Sequence, residues 1–142
     1  MEVPQPLSSD EIAHIRASFD RFWSLSSGTA KLFYDRLFEV APEVRPLFQG
    51  DMAIQQRKFM ATLATLVSNL DEGIPPWATT LAKHHVDYGV RPEHYPLVGD
   101  ALLWSLEHAL GAEWTPPVAA SWSKAYALVS EHMVRAAYLQ RT

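Results

Sequence analysis

Six histidines, His14, His84, His85, His94, His108 and His132, are the side chains of this 142-residue chain best suited to chemistry. Imidazole ligates metals and moves protons near neutral pH. No His-x-x-x-His pair occurs, so the spacing gives a zinc site little support. Cysteine is absent, which removes disulfides, zinc-thiolate sites, iron–sulfur clusters, thioether-linked prosthetic groups and a cysteine nucleophile. No glycine-rich phosphate loop, nucleophile elbow or Walker lysine is present. The carboxylate pairs Asp10-Glu11 and Asp71-Glu72 fall at a helix start and in a loop, where solvation is the default role. His14, His108 and His132 read as helix-surface residues. His84 and His85 stand apart, because Trp77, Leu81 and His85 follow one another at i,i+4 steps in the segment 77–90. An imidazole on an apolar helix face is costly unless it finds a partner. A metal inside a prosthetic group would supply one. Periodicity alone does not choose between the two histidines.

The elements that must position these side chains read as helices. The composition is that of one globular domain: 48% hydrophobic and 20% charged residues. Aromatic residues make up 11%, enough to pack around something flat. A net charge of -4 argues against a nucleic-acid backbone as partner. No apolar run approaches the roughly 18 residues of a membrane span, and Met1 to Pro6 lack the features of a signal peptide. A soluble, cytoplasmic chain without nucleic-acid or membrane partners is expected.

Ser8 and Glu11 form a capping box, behind which Ile12, Ile15, Phe19, Phe22 and Trp23 keep helical spacing as a core stripe. Ser26-Ser27-Gly28 is expected to break this helix and cap the next, which carries Leu32, Phe33, Leu37, Phe38 and Val40 until Pro42 stops it. Glu43 to Phe48 suits a single 3₁₀ turn. A long helix is expected from about Asp51 to Leu70, a loop over 71–76, and a short helix ending at Gly89. Another runs from about Pro92 to Leu110 on Tyr95, Val98, Leu102 and Leu106, ending at Gly111. The last starts at Thr115 and Pro116 and carries Val118, Trp122, Ala125, Val129 and Met133. No strand alternation appears, so the fold class is all-α, with helices of unequal length.

The chain resembles the globin family, from about Ser8 to Tyr138. It is most similar to bacterial single-domain haemoglobins, the haem domains of flavohaemoglobins, and neuroglobins. The strongest blocks are Lys83-His84-His85-Val86-Asp87-Tyr88-Gly89-Val90 and Glu93-His94-Tyr95-Pro96-Leu97-Val98-Gly99. Leu32-Phe33-Tyr34, Pro42-Glu43-Val44-Arg45-Pro46-Leu47-Phe48 and Ala120-Ser121-Trp122-Ser123-Lys124-Ala125-Tyr126 continue the match. The resemblance implies a single globin domain over 1–142, with 1–7 a short extension, and six to eight helices around non-covalent haem b. It makes His85, four residues before the glycine of Gly-Val, the iron ligand, with His84 at the haem edge. It puts Phe48 on the porphyrin face, where a ring excludes water, and Leu81, Val90 and Val98 around the group. Tyr34 and Gln55 match the ligand-facing positions, where donors stabilise a dioxygen ligand that draws electron density from the metal. A register one residue further on would put Gln56 there instead, turning the amide by about 100°. Gln55 is preferred because it leaves Lys58 and Phe59 as propionate partner and ligand-facing apolar residue.

Tyr95 matches a tyrosine that flavohaemoglobins pair with a glutamate behind the proximal histidine, but the glutamate's place falls on Ala137. The expected function is reversible binding of O₂, NO, CO or similar ligands for storage, supply or sensing, by a monomer or weak homodimer. NO dioxygenase activity, with nitrite reduction or peroxidase activity beside it, is the alternative. Because 142 residues leave no room for a reductase, such turnover would draw on a separate one. A haem-free signalling module is the third possibility, against which His85 argues.

Overall fold

The structure is a computed structural model that describes residues 7–48, 50–70 and 91–135, with the side chains of Ser26 and Ser27 left aside. Among the described residues the elements are α1 (Ser9–Ser24), α2 (Ser26–Val40), a 3₁₀ segment (Pro42–Leu47), α3 (Met52–Ser68), α4 (His94–Leu110), a short 3₁₀ turn (Gly111–Glu113) and α5 (Pro116–Val134). No strand occurs among them.

α1 begins as its capping box dictates. Ser8 Oγ accepts from the Glu11 N–H at 3.1 Å, and Glu11 Oε1 accepts from the Ser8 N–H at 2.7 Å. Ile15, Phe19 and Phe22 are buried on its inner face. Trp23 is not a core residue: it stands 47% exposed at the edge of the stripe, touching Phe19 from outside. Nor do Ser26, Ser27 and Gly28 break the helix. They belong to α2, and the break is the single residue Leu25, with φ -93 and ψ 16. Burying Ala30, Phe33 and Leu37 holds the weak helix formers in helical form. The 3₁₀ segment runs over six residues, longer than the one turn expected.

Asp51 caps α3, its side chain accepting from the Ala53 N–H, and Met60, Leu63 and Val67 face the core. At the other end Arg16 of α1 donates to the carbonyls of Val67 and Ser68, closing a helix end whose last carbonyls have no partner within the helix. α4 ends at Gly111, whose φ of +56 is the left-handed conformation a side chain disfavours. Thr115 stands at the N-cap of α5 but makes no side-chain cap there; Pro116 starts the helix.

The core lies where α1, α2, α4 and α5 meet. Trp122, 3% exposed, donates from Nε1 to Ser18 Oγ at 2.8 Å and so ties α5 to α1. Lys124 adds an ion pair to Glu11 at 3.0 Å. With α3 laid across α1 and α2, one side of the bundle is closed by polar bonds, and aromatic rings gather on the other.

Candidate functional site

Those rings come from three consecutive elements. α2 contributes Phe33, Tyr34 and Phe38, Phe48 directly follows the 3₁₀ segment, and α3 contributes Phe59. Phe33 and Tyr34 are buried, at 2% and 4% exposure, whereas Phe38, Phe48 and Phe59 are half-buried. Tyr34 is the hub. Its ring meets Phe33 at 4.9 Å, Phe48 at 5.4 Å, Phe59 at 5.7 Å and Phe38 at 5.9 Å between centroids, three of these contacts edge-on. Pairs of this kind contribute about 0.5–1.5 kcal/mol each beyond the area they bury.

The hub carries one polar atom, and α3 brings it a partner. Gln55 Nε2 donates to the Tyr34 hydroxyl at 3.2 Å. Of the two neighbouring amides, Gln55 is therefore the one that reaches Tyr34. Gln55 and Phe59 lie one turn apart, so both face α2. A hydroxyl that accepts from an amide keeps its own proton to donate. Burial pushes the Tyr34 hydroxyl above the ordinary tyrosine value, against the opposing effect of Gln55, so it stays protonated near neutral pH.

Four of the residues singled out from sequence, Tyr34, Phe48, Gln55 and Phe59, thus come together. Lys58 is exposed on α3, and Val98 is half-buried on α4. Tyr95 is buried on α4 with its carbonyl accepting from the Tyr126 hydroxyl at 2.5 Å. Leu81, His84, His85 and Val90 lie outside the described residues, as do the loop over 71–76, the helix expected to end at Gly89, and Ala137.

Sequence reading missed three contributors. Phe33, a buried core residue, also stacks flat on Phe59, with centroids 4.3 Å and planes 4° apart. Arg45 donates to the Phe48 carbonyl at 3.0 Å and lies 5.0 Å over the Phe38 ring, pinning the turn that presents Phe48. Tyr126 rests on Gly99, where an added Cβ would meet its Cε2 at 2.5 Å. The i,i+4 step from Tyr34 to Phe38 was the one local signal. His108 is exposed on α4, as expected, where it stacks on Trp104 at 3.8 Å while Arg36 lies over the same indole at 4.8 Å.

A flat prosthetic group needs a wall of rings and a small polar contact for what binds on its metal. The described residues fit that demand on the side of α2 and α3: half-buried Phe48 and Phe59 offer apolar faces, and the Tyr34–Gln55 pair offers donors.

Comparison with known proteins bears on the fold and the family. A flavohaemoprotein of Bacillus subtilis is 34% identical over 109 residues, covering 72% of this chain and 27% of its own length. One of Chromobacterium violaceum is 35% identical over 107 residues, covering 72% and 26%. The chain thus spans about a quarter of the length of these relatives. Among solved structures, a bacterial globin from Campylobacter jejuni superposes with a TM-score of 0.78 at 22% identity over 91% of this chain and 95% of that one. An engineered carbene transferase from Rhodothermus marinus, whose parent carries the provisional name nitric oxide dioxygenase, does so with 0.78 at 26% identity over 89% and 90%. No described helix is long and apolar enough to cross a membrane. The globin family profile matches residues 31–133, the stretch that holds every ring of the site, and the chain belongs to the globin family.

Proposed function

We propose that this chain binds haem b without a covalent link, through His85, and holds small diatomic ligands reversibly beside Tyr34 and Gln55. The observation that carries this reading is the Gln55–Tyr34 hydrogen bond inside an otherwise aromatic wall. Such a wall would bury a porphyrin face, and such a pair would meet the polar end of what binds there. Haem supplies the iron that takes the ligand. Phe48 would lie against the haem, Lys58 and His84 would serve its propionates, and Leu81, Val90, Tyr95 and Val98 would complete its surroundings. Phe59 and Phe48 keep water from the ligand, while the Tyr34 hydroxyl donates to it and Gln55 orients that hydroxyl. Donors fixed in a low-dielectric site hold partial negative charge more strongly than water does.

Absorption spectra of the ferrous and ferric protein test this reading. A Soret band after haem supplementation, lost or much weakened in His85→Ala, is expected; no band in the wild type refutes it. A second reading, NO dioxygenase working with a separate reductase, draws support from the flavohaemoprotein relatives and the Rhodothermus marinus neighbour. In it the same Tyr34 and Gln55 hold the ligand that reacts with NO. Repeated NO consumption with a cellular reductase separates the two readings: sustained turnover favours the enzyme, whereas free O₂ release without turnover favours the carrier.

A further inference from the structure

A buried tryptophan and an exposed one stand on either side of a single ring. Trp122 is 3% exposed, Phe19 5% and Trp23 47%. Ring centroids are 6.4 Å apart from Trp122 to Phe19 and 6.0 Å from Phe19 to Trp23, both pairs tilted at 46°. At the inner end of this row Trp122 lies one turn before Tyr126 on α5, and the Tyr126 hydroxyl donates to the carbonyl of Tyr95, which the haem reading puts beside the group. Indole and phenol are the side chains that give up an electron most readily, but they differ in what becomes of the proton. A phenol holds its electron unless a base takes its proton, and Tyr126 faces a carbonyl, which is no base. An indole can be left as a radical cation. At Trp122 that cation would be buried, and its Nε1–H donates to Ser18 Oγ, a hydroxyl itself engaged with the carbonyls of His14 and Ile15. Charge in such an interior is costly. At Trp23 water stabilises the charge and takes the proton, so the gradient runs outward.

We propose that Trp122, Phe19 and Trp23 form a one-electron exit, which carries oxidising equivalents from the core to solvent when hydrogen peroxide is the oxidant. This rests on the haem reading above. Reduction of hydrogen peroxide to two molecules of water consumes two electrons and two protons. Each electron is drawn from Trp23 across Phe19 to Trp122 and on toward the haem; Phe19 is too hard to oxidise to hold the charge and serves as the bridge. Trp23 releases its indole proton to water and is left as a neutral radical. A dissolved reductant such as ascorbate returns a hydrogen atom to it, and the exit is ready for the second electron. Oxidation that would otherwise fall on Tyr34 or on the haem is spent at a replaceable position on the surface.

Hydrogen peroxide added to the ferric, haem-loaded protein tests this, read by electron paramagnetic resonance of the frozen mixture and by mass mapping of oxidised residues. Wild type should show an indolyl radical that ascorbate removes, and oxygen adducts at Trp23. Trp122→Phe should lose most of those adducts, although Trp23 itself is untouched. Trp23→Phe changes only an exposed ring, so folding is not at stake, and its Soret band should bleach faster than that of the wild type in the same peroxide. Adducts at Trp23 that Trp122→Phe leaves unchanged, or that form equally in the haem-free protein, mean attack from solvent and overturn the proposal. Oxidation of the wild type confined to tyrosines overturns it too, as does bleaching that Trp23→Phe leaves unchanged. Absence of a Soret band would instead overturn the haem reading.

Discussion

Replacing Gly99 by alanine sets two effects of opposite sign against each other. Gly99 lies within α4, where alanine is favoured over glycine by about 1 kcal/mol on helix propensity alone. Against this, the new Cβ would stand 2.5, 2.8 and 3.1 Å from Cε2, Cδ2 and Cζ of Tyr126. Ordinary carbon contacts begin near ~3.5 Å, so the ring must retreat by about 1 Å. Its hydroxyl donates to the Tyr95 carbonyl at 2.5 Å. A retreat of that size stretches the bond to about 3.5 Å, beyond the useful range. Overpacking costs about 1–3 kcal/mol and the lost hydrogen bond about 1 kcal/mol more. The clash therefore outweighs the propensity, and Gly99→Ala should be less stable by about 1–3 kcal/mol. Urea unfolding followed by far-UV circular dichroism measures this. Tyr126→Ala removes the ring, so adding Gly99→Ala to it should cost nothing or stabilise. A neutral single variant, or strict additivity with Tyr126→Ala, would refute the close approach of α4 to α5.

Four further outcomes are expected. In the haem-loaded protein, Tyr34→Phe should speed dissociation of O₂ by about 10–100-fold, the equivalent of one charge-assisted hydrogen bond. Gln55→Leu should do so by less, because the amide acts largely through the hydroxyl; stopped-flow displacement of O₂ by CO reads both. Ser18→Ala should cost about 1–3 kcal/mol in urea unfolding, since it strands the buried Trp122 N–H, and Trp122→Phe in the same chain should remove most of that penalty. Burial raises the hydroxyls of Tyr34 and Tyr126 above the ordinary tyrosine value. The folded chain then keeps protons that the unfolded chain releases, so their contribution is intact below about pH 10 and is lost as pH rises past it. Tyrosinate absorbance should accordingly show these two hydroxyls titrating only with alkaline unfolding. Glu11 has the opposite sign: the Ser8 N–H and Lys124 lower its value, so its contribution is present at neutral pH and lost in acid.

What was legible beforehand was local. The Ser8–Glu11 box, the stop before Pro42, the helix end at Gly111 and the face of Val118, Trp122, Ala125 and Met133 rest on spacings of a few residues, and the structure keeps them. What misled was also local evidence taken too far. Serines and glycine at 26–28 looked like a break, but buried neighbours on α2 outweigh their weak propensities. Trp23 continued a stripe whose edge the core does not cover. The pairings that build the site, Phe33 with Phe59 and Tyr126 with Tyr95, join residues far apart in the chain, and no periodicity encodes them. The choice between Gln55 and Gln56 is a turn of about 100° about one helix axis. Gln55 is already preferred in sequence for the places it leaves to Lys58 and Phe59, and the packing of α3 against α2 adds its bond to Tyr34.

The two sides of the molecule are fastened differently, and this bears on how the site can work. Where α1 meets α5 and α3, long-range polar bonds accompany the apolar packing: Trp122 to Ser18, Lys124 to Glu11, and Arg16 to the carbonyls of Val67 and Ser68. Where α2 meets α3, stacked and edge-on rings do it, and the polar bond among them is the neutral Gln55–Tyr34 contact at 3.2 Å. That length is at the long end for a hydrogen bond, and a neutral pair of this kind contributes only about 1 kcal/mol net. A ligand that accepts the Tyr34 proton leaves both the Gln55 contact and the aromatic frame in place. On the proposed reading the frame supplies the shape and the pair supplies the polar contact.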